Sequence, residues 1–287
     1  MPQKLFLFET LPPAKIFTNP KSGVSTSFRL QYGGDGNTDR PALVFFHGFN
    51  GSSKSWAFQF DYFWGGKVIA IDAPGFGHSG LVDGGMAAIA DEVAALMQSQ
   101  DISQGILIGH SMGGMLAQVL AANYPYLCMG LVLSCTHKGR CQPIDTPLSE
   151  AILQRIDERL RLDDAAYGKL RVLEMLKARP EAEIFQFLAA IAGEIRVEGI
   201  QNGGLAMHHL DTTTLLPTIK APVCILTADE DIVVSPDAAA ALEADLPQAM
   251  IVRLQGVGHA PYCEDAASFN LAVEQFIQKF VKIPFDN

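Results

Sequence analysis

Residues 106–122 read ILIGHSMGGMLAQVLAA, and this stretch decides the fold. Ile106, Leu107 and Ile108 form a short apolar run of the kind a strand covered on both faces requires. Met112 to Ala122 contains no proline and is rich in Leu, Ala and Met, which predicts a helix. Between the two, Gly109-His110-Ser111-Met112-Gly113 matches G-x-S-x-G. The pattern alone is weak. Its force comes from context, because a strand runs straight into it and a helix opens straight out of it. The flanking glycines let strand and helix approach closely, so that the serine side chain is lifted out of a sharp turn. The helix start then points free N–H groups at whatever Ser111 attacks. The plainer alternative is a glycine-rich turn with an idle serine.

Working outward, the same alternation continues. Further strands are expected at Leu43–Phe46, Val68–Ile71, Leu131–Leu133, Val223–Leu226 and Met250–Leu254, with helices at Ala87–Gln98, Asp237–Ala244 and Ala266–Val281. Strand–helix alternation predicts an α/β chain with a mostly parallel, doubly wound sheet. From about Thr136 to Thr218 no good strand is found. Instead there are charged, helix-favouring stretches at Ser149–Leu162, Ala165–Ala178 and Glu181–Ile191. Pro180 separates two of these, and Gly203-Gly204 precedes a further short helix. The expected organisation is a core built from residues 1–135 and 219–287, with residues 136–218 inserted as a helical cap.

A serine hydroxyl is a poor nucleophile at neutral pH and needs a base, which itself needs an orienting acid. Serine sites on such a turn take the acid and then the histidine later in the chain. His259 lies in GVGHAP (256–261), between the last strand and the last helix. Asp229, Glu230 and Asp231 follow the strand Val223–Leu226, and of these Asp231 is favoured with Asp229 second. A tetrahedral intermediate also needs N–H donors for its oxyanion. Met112, just after the nucleophile, and Phe49, in His47-Gly48-Phe49 after the first strand, are the candidates. His47 precedes Ser111 and is read as bracing its loop, as is Asp72 in DAPGFGHS (72–79).

The bulk properties narrow the class. With 48% hydrophobic and 18% charged residues in 287, the chain can bury a large core. A net charge of -10 and no run of Lys and Arg argue against nucleic acid or an anionic membrane as partner. The 5 cysteines form no C-x-x-C pair and no Cys/His cluster, so no metal is expected. Nothing approaches a membrane span or a secretory signal, and reduced cysteines fit a cytoplasmic protein. Monomer and homodimer both remain open.

Taken together, HGF (47–49), DAPGFGHS (72–79), GHSMGG (109–114) and GVGHAPYCED (256–265) resemble the α/β-hydrolase superfamily over nearly the whole chain outside the cap. The motifs are most similar to those of small, cofactor-free hydrolases typified by 3-oxoadipate enol-lactonases and their esterase relatives. In that pattern the acid follows Gly-x-x-Asp. Ala228 stands where the glycine would be, and Asp231 fits the fourth position. The resemblance implies an α/β-hydrolase fold of about eight strands, no cofactor, and hydrolysis of a carboxylic ester or lactone of a small-to-medium substrate by water through a Ser111–His259–Asp231 triad and an acyl-enzyme. Activity is then expected to fall below roughly pH 6.5 as a histidine base protonates. C–C bond hydrolysis and perhydrolase chemistry use the same triad, and a slow-turnover ligand receptor could keep the scaffold. For substrate contacts the aromatic, apolar and basic residues near the motifs are the candidates: Trp56 and Met115 from the core, and His137, Arg140, Phe185 and Met207 from the cap.

Overall fold

A computed structural model describes residues 8–33, 40–176 and 182–281. It contains an eight-stranded sheet: β1 (Ala14–Thr18), β2 (Ser25–Gln31), β3 (Ala42–Phe46), β4 (Val68–Ile71), β5 (Gly105–His110), β6 (Cys128–Ser134), β7 (Val223–Ala228) and β8 (Met250–Leu254). The order is β1-β2-β4-β3-β5-β6-β7-β8. Strands β4, β3 and β5 to β8 are parallel, and β1 and β2 add an antiparallel edge. The six strands expected from apolar runs are all present. The two edge strands were not expected. Ser25–Gln31 opens on three polar residues and alternates only from Phe28, and Ala14–Thr18 is largely exposed, so neither carries the apolar run of a strand covered on both faces.

Helices cover both faces, as a parallel sheet demands. On one side α2 (Gly85–Ser99) and α3 (Met112–Asn123) bury Met86, Ile89, Val93, Leu116 and Leu120 against the sheet. On the other, α1 (Ala57–Tyr62) and α10 (Ala266–Phe280) bury Phe60, Phe269, Val273 and Phe276. The Asp265 side chain accepts from the Ser268 N–H and so caps α10. The remaining core helices are α8 (Pro236–Asp245) and the short α9 (Pro261–Glu264).

Between β6 and β7 the chain forms four helices: α4 (Glu150–Arg161), α5 (Asp164–Leu173), α6 (Glu183–Gly193) and α7 (Val197–His209). Gly203-Gly204 does not precede a helix but lies inside α7. The reason is packing. A side chain on Gly203 would meet the Phe76 and Phe49 rings, and one on Gly204 would meet Ile152, so close contact replaces the helix propensity that glycine lacks. Pro180 lies outside the described residues. Among those described, no helix is long and apolar enough to cross a membrane.

The sheet order also says where a ligand should sit. From β3 the chain crosses to β4 on one side, whereas β5 leads on to β6 on the other. Ligands of open α/β sheets bind in the crevice outside the carboxyl ends of strands at such a reversal. Phe46 at the end of β3 pairs with Gly109 near the end of β5, so His47-Gly48-Phe49 and His110-Ser111-Met112 leave the sheet side by side.

Candidate active site

Ser111 occupies the turn between β5 and α3 with φ 52 and ψ -117, a left-handed conformation that non-glycine residues rarely adopt. Several contacts hold it there. The Ser111 N–H donates to the Ser134 carbonyl (2.9 Å), and the Thr136 hydroxyl donates to the Ser111 carbonyl (2.6 Å). Gly109 and Gly113 are required by sterics. A Cβ at Gly109 would lie 2.2 Å from the Gly113 oxygen, and one at Gly113 would lie 2.1 Å from the Phe46 oxygen. Met112 opens α3, so its N–H is among the donors a helix start leaves free.

Ser111 and His259 line one cleft, together with Gly48 and Phe49. His259 Nδ1 donates to both oxygens of Asp231, at 2.9 and 3.0 Å. An ionised carboxylate only accepts, so the proton is on Nδ1 and Nε2 is left as the basic nitrogen. Burial alone would raise the Asp231 carboxyl. The His259 hydrogen bond and charge, with the N–H groups of Val234 and Val233, outweigh it and hold the carboxyl below its ordinary value. Asp229 turns elsewhere, accepting from the Val257 N–H at 3.3 Å.

The surrounding loops are pinned by buried polar groups. His47 Nδ1 donates to the Gly48 carbonyl (2.8 Å), and its Nε2 accepts from the Ala73 N–H (3.1 Å). Burial first of all lowers its pKa, so it braces the loop as a neutral ring. Asp72 accepts from the Ser53 N–H and the Ser27 hydroxyl. Glu264, which the motif reading passed over, accepts from the N–H groups of Gly258 (3.2 Å) and Ala260 (2.9 Å), one on each side of His259. Its place five residues after His259 was the available signal. Cys135 Sγ, an Asp231 oxygen and a His259 nitrogen lie within 4.8 Å of one another. Burial, helped by the Asp231 charge, pushes the Cys135 thiol well up, so it stands beside the pair as a protonated donor rather than a thiolate.

The six side chains expected to contact substrate are not among those lining this cleft. Trp56 is wholly buried, its ring tilted against Phe45, Tyr262 and Phe269, and Met115 and Met207 belong to the core on the other face. Phe185 is buried with Phe187 in the same core cluster as Trp56. His137 is turned to its own loop, at 3.0 Å from the Gly139 carbonyl, and Arg140 is exposed. The aromatic and apolar residues were needed for packing, which sequence proximity to a motif does not reveal. The inserted helices present Arg155, Arg171, Glu174, Met175, Leu188 and Ala192 instead. A signal for Arg155 existed: it shares with Ile152, Ile156 and Arg159 the inward stripe of α4.

A family model described as "alpha/beta hydrolase fold" matches residues 41–266, more than half of the chain. The chain belongs to the α/β-hydrolase family. It is 27% identical over 263 residues to a protein of Pantoea ananatis named "Putative carbamate hydrolase RutD", covering 88% of this chain and 93% of that one. Among solved structures it is similar to the enol-lactonase from Burkholderia xenovorans LB400, with TM-score 0.79, 20% identity, and coverage of 92% and 100% of the two chains. It is also similar to a thermophilic esterase from Thermogutta terrifontis, with TM-score 0.78, 25% identity, and coverage of 94% and 100%. The matched residues of this α/β hydrolase include all the sites described above.

Proposed function

We propose that this hydrolase is a serine esterase or lactonase acting on a small carboxylic ester or lactone, with residues 136–218 serving as a cap over the cleft. The observation that carries the reading is the buried His259–Asp231 pair opening onto the cleft that holds Ser111. In this mechanism Ser111 Oγ attacks the carbonyl as His259 Nε2 takes its proton. Asp231 fixes the ring and stabilises the imidazolium. The Met112 and Phe49 N–H groups receive the oxyanion, and each such donor is worth about 3–4 kcal/mol in the transition state. His259 then returns the proton to the leaving alcohol, and water activated by the same nitrogen releases the acid. No step needs a metal or cofactor. A carbamate presents the same kind of carbonyl, and the name of the Pantoea relative favours including carbamates in the screen.

The test is labelling with a fluorophosphonate, read by intact mass and peptide mapping. Stoichiometric modification of Ser111 that disappears in His259→Ala is expected. An unmodified Ser111 in the folded protein would put the ligand-receptor reading in its place.

A further inference from the structure

The cleft beside Ser111 contains two arginines, and only one is neutralised. Arg171, 1% exposed, is bound by Glu158 at 2.5 Å and by Glu174 at 3.0 Å. Among the described residues no carboxylate is within ion-pair distance of Arg155, and Glu174 attracts it only from farther off. Among the described residues its polar contact is a hydrogen bond to Asn50 Oδ1 (3.3 Å), and its guanidinium lies 5.5 Å above the centre of the Phe49 ring. The other arginines of α4 are occupied, Arg159 by Asp164 and Arg161 by Asp157. Burial first and the Arg171 charge next lower the Arg155 pKa, offset only in part by Tyr167 and Glu174, so an anion in contact with it would relieve both. A guanidinium carries five N–H donors in a planar fork, and one donor to Asn50 leaves a face suited to two parallel oxygens. Charges withdrawn from water are ordinarily paired. In a chain of net charge -10, a partly buried cation left without an acid marks a place for one.

We propose that Arg155 receives a carboxylate of the substrate, so that the scissile ester or lactone belongs to a molecule bearing a second, free carboxylate. The proposal rests on the serine-hydrolase reading and adds the substrate class. Arg155 touches Phe49 and Asn50, the residues that follow Gly48 on the candidate oxyanion loop, so the anion and the scissile carbonyl are presented by one loop. Glu174 also lines the cleft, but its carboxylate is engaged by Arg171 and reaches Arg155 only through its charge, which leaves the Arg155 guanidinium free of direct contact with an acid among the described residues.

The experiment compares the mono-p-nitrophenyl ester of glutaric acid with p-nitrophenyl butyrate. The acid ester is expected to have the higher kcat/KM by at least tenfold. Arg155→Gln lowers that ratio at least tenfold, mostly through KM, Arg155→Lys recovers part of it, and Arg161→Gln on the outer face leaves it unchanged. Independently of chemistry, calorimetry with the Ser111→Ala protein should show glutarate binding that weakens at least tenfold when Arg155→Gln is added. A ratio that Arg155→Gln does not alter, or glutarate binding that is absent or indifferent to Arg155, overturns the proposal. Arg155-dependent glutarate binding with no ester turnover and no labelling of Ser111 would instead remove the hydrolase reading and leave the anion site standing.

Discussion

Asp229 and Asp231 are two residues apart, yet only Asp231 reaches the His259 ring, while Asp229 holds the Val257 N–H of the same loop. Asp231→Asn is therefore expected to cut kcat by about 10⁴, the loss typical when the orienting carboxylate of a triad becomes an amide. Asp229→Asn should cost less than about tenfold; steady-state kinetics of the two variants, with thermal melts to confirm folding, compares them directly. The reverse ranking would transfer the acid to Asp229. Acid stability is a second residue-scale matter. His110 is 2% exposed, and burial, together with the neighbouring His259, holds its pKa well below the ordinary value. A histidine lowered in the fold binds its proton first in the unfolded chain. Stability is thus complete above the ordinary histidine pKa of about 6.5 and falls below it by up to about 1.4 kcal/mol per pH unit. Asp231 has the sign of a depressed carboxyl: its contribution is present above the unfolded carboxylate pKa and is lost at still lower pH. Urea midpoints measured from pH 7 to pH 5 should decline, and more shallowly in His110→Gln. Parallel slopes in the two proteins would show that His110 is not the group protonated.

The elements differ in how far they could be read from the chain. Strands β3 to β8 and helix α3 were legible because a short apolar run followed by a helical period is a local pattern, and the strained turn that carries Ser111 is marked by its two glycines. His259 and Asp231 were legible through chain order. The cleft wall was not, because periodicity says which stripe of α4 or α5 is inward but not what it faces. Glu158 and Arg171 show the difficulty, since each reads as an ordinary surface charge and the two meet as a buried pair joining α4 to α5. Their side chains are 11% and 1% exposed. Removing one partner from such a pair strands the other's charge, at a cost of about 3–5 kcal/mol in fully buried cases. Glu174 still touches Arg171, so Glu158→Ala is expected to lose about 2–4 kcal/mol. Replacing both, as Glu158→Leu with Arg171→Met, should restore most of it. Chemical denaturation of the three proteins tests this, and a double variant no more stable than Glu158→Ala would mean the pair matters for more than neutralising charge.

At the scale of the molecule, topology and charge act on the same place. The reversal of strand order between β3 and β5 sets the candidate site at the carboxyl edge of the sheet, and α4 and α5 contribute Arg155 and Arg171 to its lining. Everything else about the charge works against an anionic ligand, because 31 acidic residues face 21 basic ones. A carboxylate approaching from solvent meets a repulsive field over tens of ångströms at low salt and the attraction of Arg155 only at the end. Salt separates the two ranges, since the Debye length shrinks from about 30 Å at 0.01 M to about 10 Å at 0.1 M, while a partly buried contact is screened much less. Raising ionic strength over that interval should therefore increase kcat/KM for the mono-p-nitrophenyl ester of glutaric acid by about two- to fivefold, through the encounter step. Turnover of p-nitrophenyl butyrate, which carries no charge, should stay level. A fall in kcat/KM for the acid ester alone would mean that the cationic wall of the cleft, rather than the net charge of -10, governs approach.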